Sequence, residues 1–173
     1  MLCPTCVAKL SFIDNNKSCS LCGEPFAKIQ CCGCSPIDKT LTEEEKLNFK
    51  PNYKRCISIV RLDKSSGRIV ALNKDAGERR LSGTMAYFMA KGIPNSWLKN
   101  NTYITYIPAS KEAVIRRGYD HCEQIAKLLA KQLGLKCINC FNRPLSKDQR
   151  KLGRTARAAN LKNTFSAKEN VSA

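Results

Sequence analysis

The chain has 173 residues and a mass of 19.3 kDa, a length that fits one domain or a small domain joined to a modest one. Hydrophobic residues make up 43% and charged residues 25%, with 9 Gly and 7 Pro, which excludes a wholly disordered or fibrous chain. The net charge of +16 favours phosphate-bearing partners such as nucleic acids, nucleotides or anionic membranes.

The sequence contains no apolar run of the roughly 18 residues that a membrane-spanning helix needs. Its first residues, Met1 to Pro4, do not have the form of a secretory signal, in which a basic region precedes an apolar stretch. We therefore expect no membrane span and a cytoplasmic location, where disulfides are rare.

The amino-terminal segment is rich in cysteine. Seven of the 11 cysteines fall within the first 34 residues, and six of them form pairs separated by two residues. In a reducing compartment such pairs indicate metal, because a structural zinc ion takes four thiolates in a tetrahedron. The candidate ligands are Cys3 and Cys6, Cys19 and Cys22, and Cys31 and Cys34.

These three pairs can be grouped into a four-ligand site in two ways. The first two pairs give C-x2-C-x12-C-x2-C, the last two give C-x2-C-x8-C-x2-C, and both spacings are typical of zinc ribbons. Cys19 and Cys22 belong to either grouping, and Gly23 allows the tight turn around a metal. Cys32 would be a spare thiol, or it would replace Cys31 as a ligand with poorer spacing. We predict a structural zinc ribbon over residues 1–38.

The next elements are predicted from local patterns. Thr42 to Glu45 has the form of a capping box, which predicts a short helix within a linker at 39–51. The β-rich runs 55–61 and 68–72 flank Lys64-Ser65-Ser66-Gly67, which predicts a hairpin.

Alternating helices and strands follow. Leu81, Met85, Phe88 and Met89 predict an amphipathic helix over about 77–91, and the run 103–107 predicts a strand that Pro108 ends. A second helix has Ile125, Leu128, Leu129 and Leu133 on one face and ends at Gly134. This alternation predicts an α/β sheet domain over 52–173.

A basic loop follows the predicted strand and is the most informative stretch. Backbone N–H groups there, together with Ser110 and Lys111, have the chemistry to grip a phosphate, and Arg116 and Arg117 supply guanidinium groups. Loops at the carboxyl ends of strands are where open α/β sheets bind ligands.

Two further features carry alternatives. His121, the one histidine, has either an acid/base role or a local contact at the start of a helix, and the second interpretation is favoured because no Ser or Cys completes a triad. Cys137 and Cys140 are interpreted as packing rather than as a metal pair. The tail from Asn142 to Lys168 is either a solvated basic segment or a flap that contacts phosphate or nucleic acid.

The order of these motifs resembles the ComF family, competence-associated proteins with a zinc ribbon and a type I phosphoribosyltransferase-like domain. The resemblance runs along most of the chain and is strongest from about 103 to 165. It is carried by the paired cysteines, by Ile107-Pro108-Ala109-Ser110, by Arg116-Arg117-Gly118-Tyr119-Asp120-His121, by a Leu/Ala helix, and by Arg143…Gln149…Arg157-x-x-Asn160-Leu161…Phe165.

The resemblance implies the following site residues. Ala109, Ser110 and Lys111 match a pyrophosphate loop, and Arg116, Arg117 and Gly118 match the family's Arg-Gly-aromatic signature, although Asp120-His121 replaces the more usual Asn-Gln. Arg157, Asn160 and Phe165 match a tail that lies over the ligand. Family members often carry an additional Cys pair upstream; without it, the complete zinc site would be Cys19, Cys22, Cys31 and Cys34.

The family also has a strand that ends in two acidic residues, followed by a Thr-Thr-Gly loop for the phosphoribosyl 5-phosphate. Neither an Asp-Asp pair nor Thr-Thr-Gly occurs in these 173 residues. We therefore expect an incomplete, Rossmann-like parallel sheet with an exposed pairing edge, and a chain truncated before that loop that is catalytically incompetent and marginally stable alone. Mg²⁺ would bind with phosphoribosyl pyrophosphate only if that segment were supplied.

Two functions follow as expectations, and a third interpretation is a complete enzyme whose remaining segment is absent from this chain. The first is a ComF-like protein linked to DNA uptake, with phosphoribosyl pyrophosphate or single-stranded DNA as its ligand and a protein of the competence machinery as its partner. The alternative is a zinc-ribbon nucleic-acid-binding or adaptor module without catalysis, which the net charge of +16 favours.

Overall fold

A computed structural model of the chain describes residues 2–20, 23, 25, 53–144, 156, 164–169 and 171. The chain divides into two compact units, Cys3–Gly67 and Arg68–Ala173, the second including Met1–Leu2. Over the described ranges, no helix combines the length and the apolar character that crossing a bilayer requires.

The first unit begins with a short helix, α1 (Pro4–Ala8), and a 3₁₀ turn at Asn15–Lys17. Between them, Phe12 lies opposite Val60 in an antiparallel bridge. The backbone N–H of Ile13 donates to Ile59 at 3.0 Å, and that of Arg61 donates to Ser11 at 2.9 Å. Residues 59–61 therefore pair with the cysteine-rich segment. The helix predicted from Thr42 lies outside the described residues.

The predicted hairpin is wrong, because Lys64–Lys74 forms a helix, α2. Asp63 Oδ1 accepts the backbone N–H groups of Ser65 at 2.8 Å and Ser66 at 2.9 Å, and the Asp63 N–H donates to Ser66 Oγ at 2.9 Å. This reciprocal pair caps a helix start, so Lys64-Ser65-Ser66-Gly67 is a first helical turn rather than a β-turn.

The second unit contains helices α3 (Arg80–Gly92), α4 (Lys111–Arg117) and α5 (His121–Leu133), a 3₁₀ turn at Asn95–Trp97, and strands β1 (Tyr103–Ile104) and β2 (Lys136–Cys137). The strands are parallel, with Tyr103 opposite Lys136 and Ile104 opposite Cys137. Helix α5 lies between them in sequence and packs on α3 and on both strands.

The helical patterns in this unit are confirmed in position. The predicted helix over 77–91 is α3, and the second helix ends at Leu133 because Gly134 takes a φ of +66° and its N–H donates to the Ala130 and Lys131 carbonyls. The most buried residues of α5 are Ala126, Leu129 and Ala130. Ala126 and Ala130 of α5 and the buried Ser82 and Ala86 of α3 are small, which allows these two packed helices to approach closely.

The α/β class is therefore confirmed, since helices pack on a small parallel sheet. The zinc ribbon and the phosphoribosyltransferase-like domain stay predictions. The predicted boundary at residue 38 lies outside the described residues, and the division into compact units falls after Gly67.

Candidate phosphate site and candidate metal centre

The loop after β1 is fixed through the backbone of Ala109. The Ala109 N–H donates to Asp120 Oδ2 at 2.8 Å, and the Ala109 carbonyl accepts from Arg143 Nη1 at 3.0 Å. The same Nη1 lies 2.8 Å from Asp120 Oδ2, so the three groups form a closed network. Because its N–H is occupied, Ala109 has no backbone donor left for a phosphate, and its place in the site is to hold the loop.

Asp120 also begins helix α5. Its Oδ1 accepts the backbone N–H groups of Cys122 at 3.1 Å and Glu123 at 3.3 Å, which satisfies two donors of the first helical turn. The side chain is 1% exposed, and its charge is compensated by Arg143. One buried carboxylate thus joins the loop after β1, the start of α5 and the segment after β2.

The loop continues into the short helix α4. Ser110 caps it, with Oγ accepting from the Ala113 N–H at 3.3 Å, and Lys111 is exposed at its first position. Gly118 ends it with a φ of +74°, and the Gly118 N–H donates to the Val114 carbonyl at 2.7 Å. The Ser110 hydroxyl therefore has a structural contact beside its predicted role in phosphate binding.

The two adjacent arginines occupy different environments. Arg116 is exposed, whereas the Arg117 side chain is only 7% exposed. Arg117 Nη2 lies 3.8 Å from Asp75 Oδ1, and its buried Nε makes no hydrogen bond to the described atoms. Of these two predicted phosphate ligands, Arg116 is the one that faces solvent.

Arg79 was missed by the sequence analysis. Its Nη2 donates to the Gly118 carbonyl at 3.0 Å, and its guanidinium lies 4.6 Å from the centre of the Tyr119 ring. The Tyr119 hydroxyl donates to the Asn73 carbonyl. These contacts fix the turn between α4 and α5. No local pattern identifies Arg79, because its partners lie about forty residues away in sequence.

His121 makes local contacts at the start of α5, as the favoured interpretation expects. Arg117 Nη1 lies 3.4 Å from His121 Nδ1, and because arginine only donates, Nδ1 is the acceptor and Nε2 carries the proton. Nε2 lies 3.4 Å from Cys122 Sγ. Burial first, and then Arg117 and Lys74, lower the pKa of His121, while burial raises the pKa of Cys122. The pair is a neutral imidazole and a thiol, not an activated nucleophile.

Asp120, His121 and Cys122 bring one potential ligand atom each to within 4.8 Å of one another, but they do not fit a metal ion. Both Asp120 oxygens already accept two hydrogen bonds each. The tautomer that Arg117 imposes places a proton on the His121 nitrogen that faces Cys122. The nearby cations Arg117 and Lys74 also oppose the added positive charge of a metal ion.

The first cysteine pair has features that fit a metal site. Cys3 precedes α1, and its carbonyl accepts the Cys6 N–H at 3.0 Å, so the chain turns tightly between the two thiols. The Cys6 N–H lowers the pKa of the Cys3 thiol, with further contributions from the Cys6 side chain and the Thr5 N–H. Amide hydrogens directed at a sulfur favour the thiolate, which is the form that binds zinc.

The second pair begins at Cys19, which is buried. The Gly23 N–H donates to the Cys19 carbonyl at 2.8 Å, and Gly23 has a φ of +72°. This hydrogen bond brings Gly23 close to Cys19, and a metal site built on this cysteine pair would need such a close approach. Three further predicted ligands, Cys22, Cys31 and Cys34, lie outside the described residues.

The tail residues Arg157 and Asn160 also lie outside the described residues. Phe165 is described and is partly exposed. Just after Phe165 in sequence, Ala167 lies opposite Phe141 in an antiparallel bridge. The Asn142 N–H donates to the Ser166 carbonyl at 3.0 Å. The described end of the tail therefore pairs with the segment after β2, close in sequence to Arg143.

Comparisons with known proteins add no relative. No family model matches the chain, and neither a curated protein nor a solved structure matches it.

Proposed function

We propose that the chain is a ComF-like protein that binds a diphosphate-bearing ligand where β1 ends, without transferring a phosphoribosyl group by itself. The observation that carries the proposal is the position of loop 107–110. It follows the first strand of a parallel pair whose crossover contains α5, and such carboxyl edges are where open α/β sheets bind ligands. The Ala109–Asp120–Arg143 network preorganises this loop.

The charges near the loop support an anionic ligand. Lys111 and Arg116 are exposed on α4, directly after the loop. Arg143 is 39% exposed, although its Nη1 is bound to Asp120 and Ala109. We propose Lys111 and Arg116 as the phosphate contacts, and Arg143 as the residue that holds the loop in place.

Transfer requires more than phosphate binding. The ribose hydroxyls and the 5-phosphate must also be held so that the sugar carbon faces its acceptor. The resemblance assigns these tasks to an Asp-Asp pair and a Thr-Thr-Gly loop, neither of which occurs in the 173 residues. We therefore expect binding of pyrophosphate without transfer, and no additional affinity from the sugar phosphate or its Mg²⁺.

In the same proposal, a structural zinc ion is held by four of six cysteines, Cys3, Cys6, Cys19, Cys22, Cys31 and Cys34. The turns at Cys3 and Cys19 support this assignment. Bound zinc crosslinks the segment and supplies folding free energy that a short cysteine-rich stretch cannot obtain from an apolar core.

Calorimetric titration tests the proposal. The zinc-loaded chain is titrated with pyrophosphate and with phosphoribosyl pyrophosphate plus Mg²⁺. We expect similar affinities for both, and several-fold weaker binding by Lys111→Gln and Arg116→Gln, with Lys99→Gln as the matched control for an exposed cation in the same unit. Clearly tighter binding of the phosphoribosyl compound would contradict the claim that transfer is absent, and equal binding by all variants would contradict the site.

The net charge of +16 favours a second function, a zinc-ribbon module that binds nucleic acid without catalysis. A link to DNA uptake and to a partner in the competence machinery rests on the ComF resemblance. Affinity for single-stranded DNA should fall steeply with salt, because each neutralised phosphate releases counterions. Affinity that is indifferent to salt would exclude this function.

A further inference from the structure

We infer that the first unit contains a docking groove for a nucleotide of single-stranded nucleic acid, formed by Phe12, Lys17 and Arg61. The groove encloses about 360 Å³ beside the paired segments 11–13 and 59–61. Its lining residues belong to Cys3–Gly67, whereas the residues of the proposed phosphate loop belong to the second unit. The inference rests on the second proposed function and gives it a location.

Phe12 provides an aromatic surface in this groove. Its side chain is 49% exposed although its backbone is fixed in the bridge to Val60. The hydrogen bonds from Ile13 to Ile59 and from Arg61 to Ser11 hold that bridge on both sides. A ring on a fixed backbone is suited to stacking on a base, and such stacking tolerates any sequence because every base has a π face.

Two cations line the same groove as the Phe12 ring. Lys17 ends the 3₁₀ turn, Arg61 follows the bridge, and both are exposed and line the groove. The one acidic residue of the lining, Asp14, accepts the Asn16 N–H at 3.0 Å within the same turn. The groove therefore has an excess of positive charge beside an aromatic ring.

The described part of the first unit around the groove also has a net positive charge. In the described part of this unit, six basic residues stand against two acidic ones, and the second acid, Asp63, accepts hydrogen bonds from Ser11, Ser65 and Ser66. The basic residues are Lys9, Lys17, Lys54, Arg55, Arg61 and Lys64.

These features favour a single strand over other anions. A duplex keeps its bases stacked on one another, so Phe12 would have no base face to contact, and an acidic peptide would use the cations but not the ring. A single strand offers a base to the ring and phosphates to Lys17 and Arg61 at once. The volume lies within the range of pockets for small ligands, which suits one nucleotide of a strand.

Fluorescence anisotropy on the full, zinc-loaded chain tests the inference. The probe is a labelled oligothymidylate of roughly fifteen nucleotides, which is within the range of site sizes of single-strand-binding proteins. A labelled oligouridylate of equal length measures the affinity for RNA in place of DNA. The competitors are a duplex, free thymidylate and polyglutamate. We expect both single strands to bind and all three competitors to be much weaker.

Variants locate the binding. Phe12→Leu should weaken the affinity about 5- to 150-fold, the loss expected for one stacked base, while Phe12→Trp should retain it and show fluorescence quenching by the base. Changing Lys17 and Arg61 together to Gln should reduce the slope of log affinity against log salt by about 1.4, the value for two phosphates of a single strand. Tyr53→Leu and Lys9→Gln, which change an exposed aromatic and a cation outside the groove lining, are matched controls.

The outcomes distinguish the groove from the second proposed function, the binding of nucleic acid. If the parent chain binds single strands but Phe12→Leu and the double Gln variant bind equally well, the groove is overturned and the second function stands. If the parent binds no nucleic acid, both are overturned. Equal competition by polyglutamate or by free thymidylate would also overturn the groove as a site for strands. Thermal unfolding of each variant is compared with the parent, and Phe12→Trp supplies the readout if Phe12→Leu fails to fold.

Discussion

Arg143 Nη1 lies 2.8 Å from Oδ2 of Asp120, 23 positions earlier in the chain, and 3.0 Å from the carbonyl of Ala109. Through Ala109, this pair joins the loop after β1, the start of α5 and the segment after β2. Because Asp120 is almost fully buried, these donors rather than water make the hydrogen bonds to its carboxylate. The geometry of the candidate phosphate loop therefore depends on a contact that lies outside that loop.

The first prediction concerns Asp120. Asp120→Ala should lower the free energy of unfolding by about 3 kcal/mol, because it leaves Arg143 without its buried partner and removes the cap of α5. Urea denaturation measures the loss. Glu123→Gln is the matched control, since Glu123 lies 3.7 Å from Arg143 Nη2 at a more exposed position and should change stability by less than about 0.5 kcal/mol. Equal losses for the two variants would show that the buried network has no special role.

The second prediction concerns pH. The pKa of His121 is lowered in the folded chain, first by burial and then by Arg117, so the unfolded chain takes up this proton at a higher pH. The contribution of His121 to the free energy of unfolding should therefore be fully present above about pH 6.5. It should be lost as the pH falls towards the pKa of His121 in the folded chain. One proton limits the slope to about 1.4 kcal/mol per pH unit, and solvent contact of the ring reduces it.

Because the chain has one histidine, its C2 proton resonance titrates without overlap in an NMR spectrum. The midpoint should lie below 6.5, the ordinary value for histidine. Arg117→Met should raise it, because the variant removes a positive charge near the ring, whereas Arg80→Met, at an exposed arginine, should leave it unchanged. A midpoint above 6.5 in the parent would mean that His121 is stabilised as a cation.

The third prediction concerns Gly23. A Cβ at this position would lie 2.5 Å from Ser58 Oγ and 3.1 Å from the Ser58 nitrogen, at a φ of +72°. Gly23→Ala should therefore lower the free energy of unfolding by about 3 kcal/mol and weaken the retention of the zinc ion proposed above. Gly134→Ala is the control, because its φ of +66° is similar but nothing lies within 4 Å of the added atom. We expect a cost of about 1–2 kcal/mol there and unchanged zinc content, measured by elemental analysis after dialysis against a chelator.

The fourth prediction concerns Arg79 and Tyr119. A double-mutant cycle with Arg79→Met and Tyr119→Leu should give a coupling free energy of about 0.5–1 kcal/mol from the stacked guanidinium. The same cycle with Arg80→Met should give a coupling near zero, since Arg80 Nη2 lies 3.3 Å from Glu78 and its side chain is 88% exposed. Coupling of equal size in both cycles would point to general charge effects rather than to stacking.

Local sequence signals predicted several elements correctly and failed where a cap was overlooked. The spacing of Leu81, Met85 and Phe88 predicted α3 because helical periodicity depends only on neighbours along the chain. The hairpin prediction was wrong because it took Gly67 as a turn residue, whereas Asp63 and Ser66 have the spacing of a helix cap. Asp120 and Glu123 have the same spacing at the start of α5, and that signal was available.

The sequence by itself determined the net charge, the paired cysteines, the helical faces and the order of motifs that resembles the ComF family, because each depends on composition or short spacing. Only the tertiary structure decided that Arg116 faces solvent while Arg117 turns to Asp75 and His121. It also decided that Arg143 holds the Ala109 loop rather than lying free in a basic tail. These assignments depend on partners up to 42 positions away, and a side chain's environment is fixed by what packs around it, not by the residues beside it in sequence.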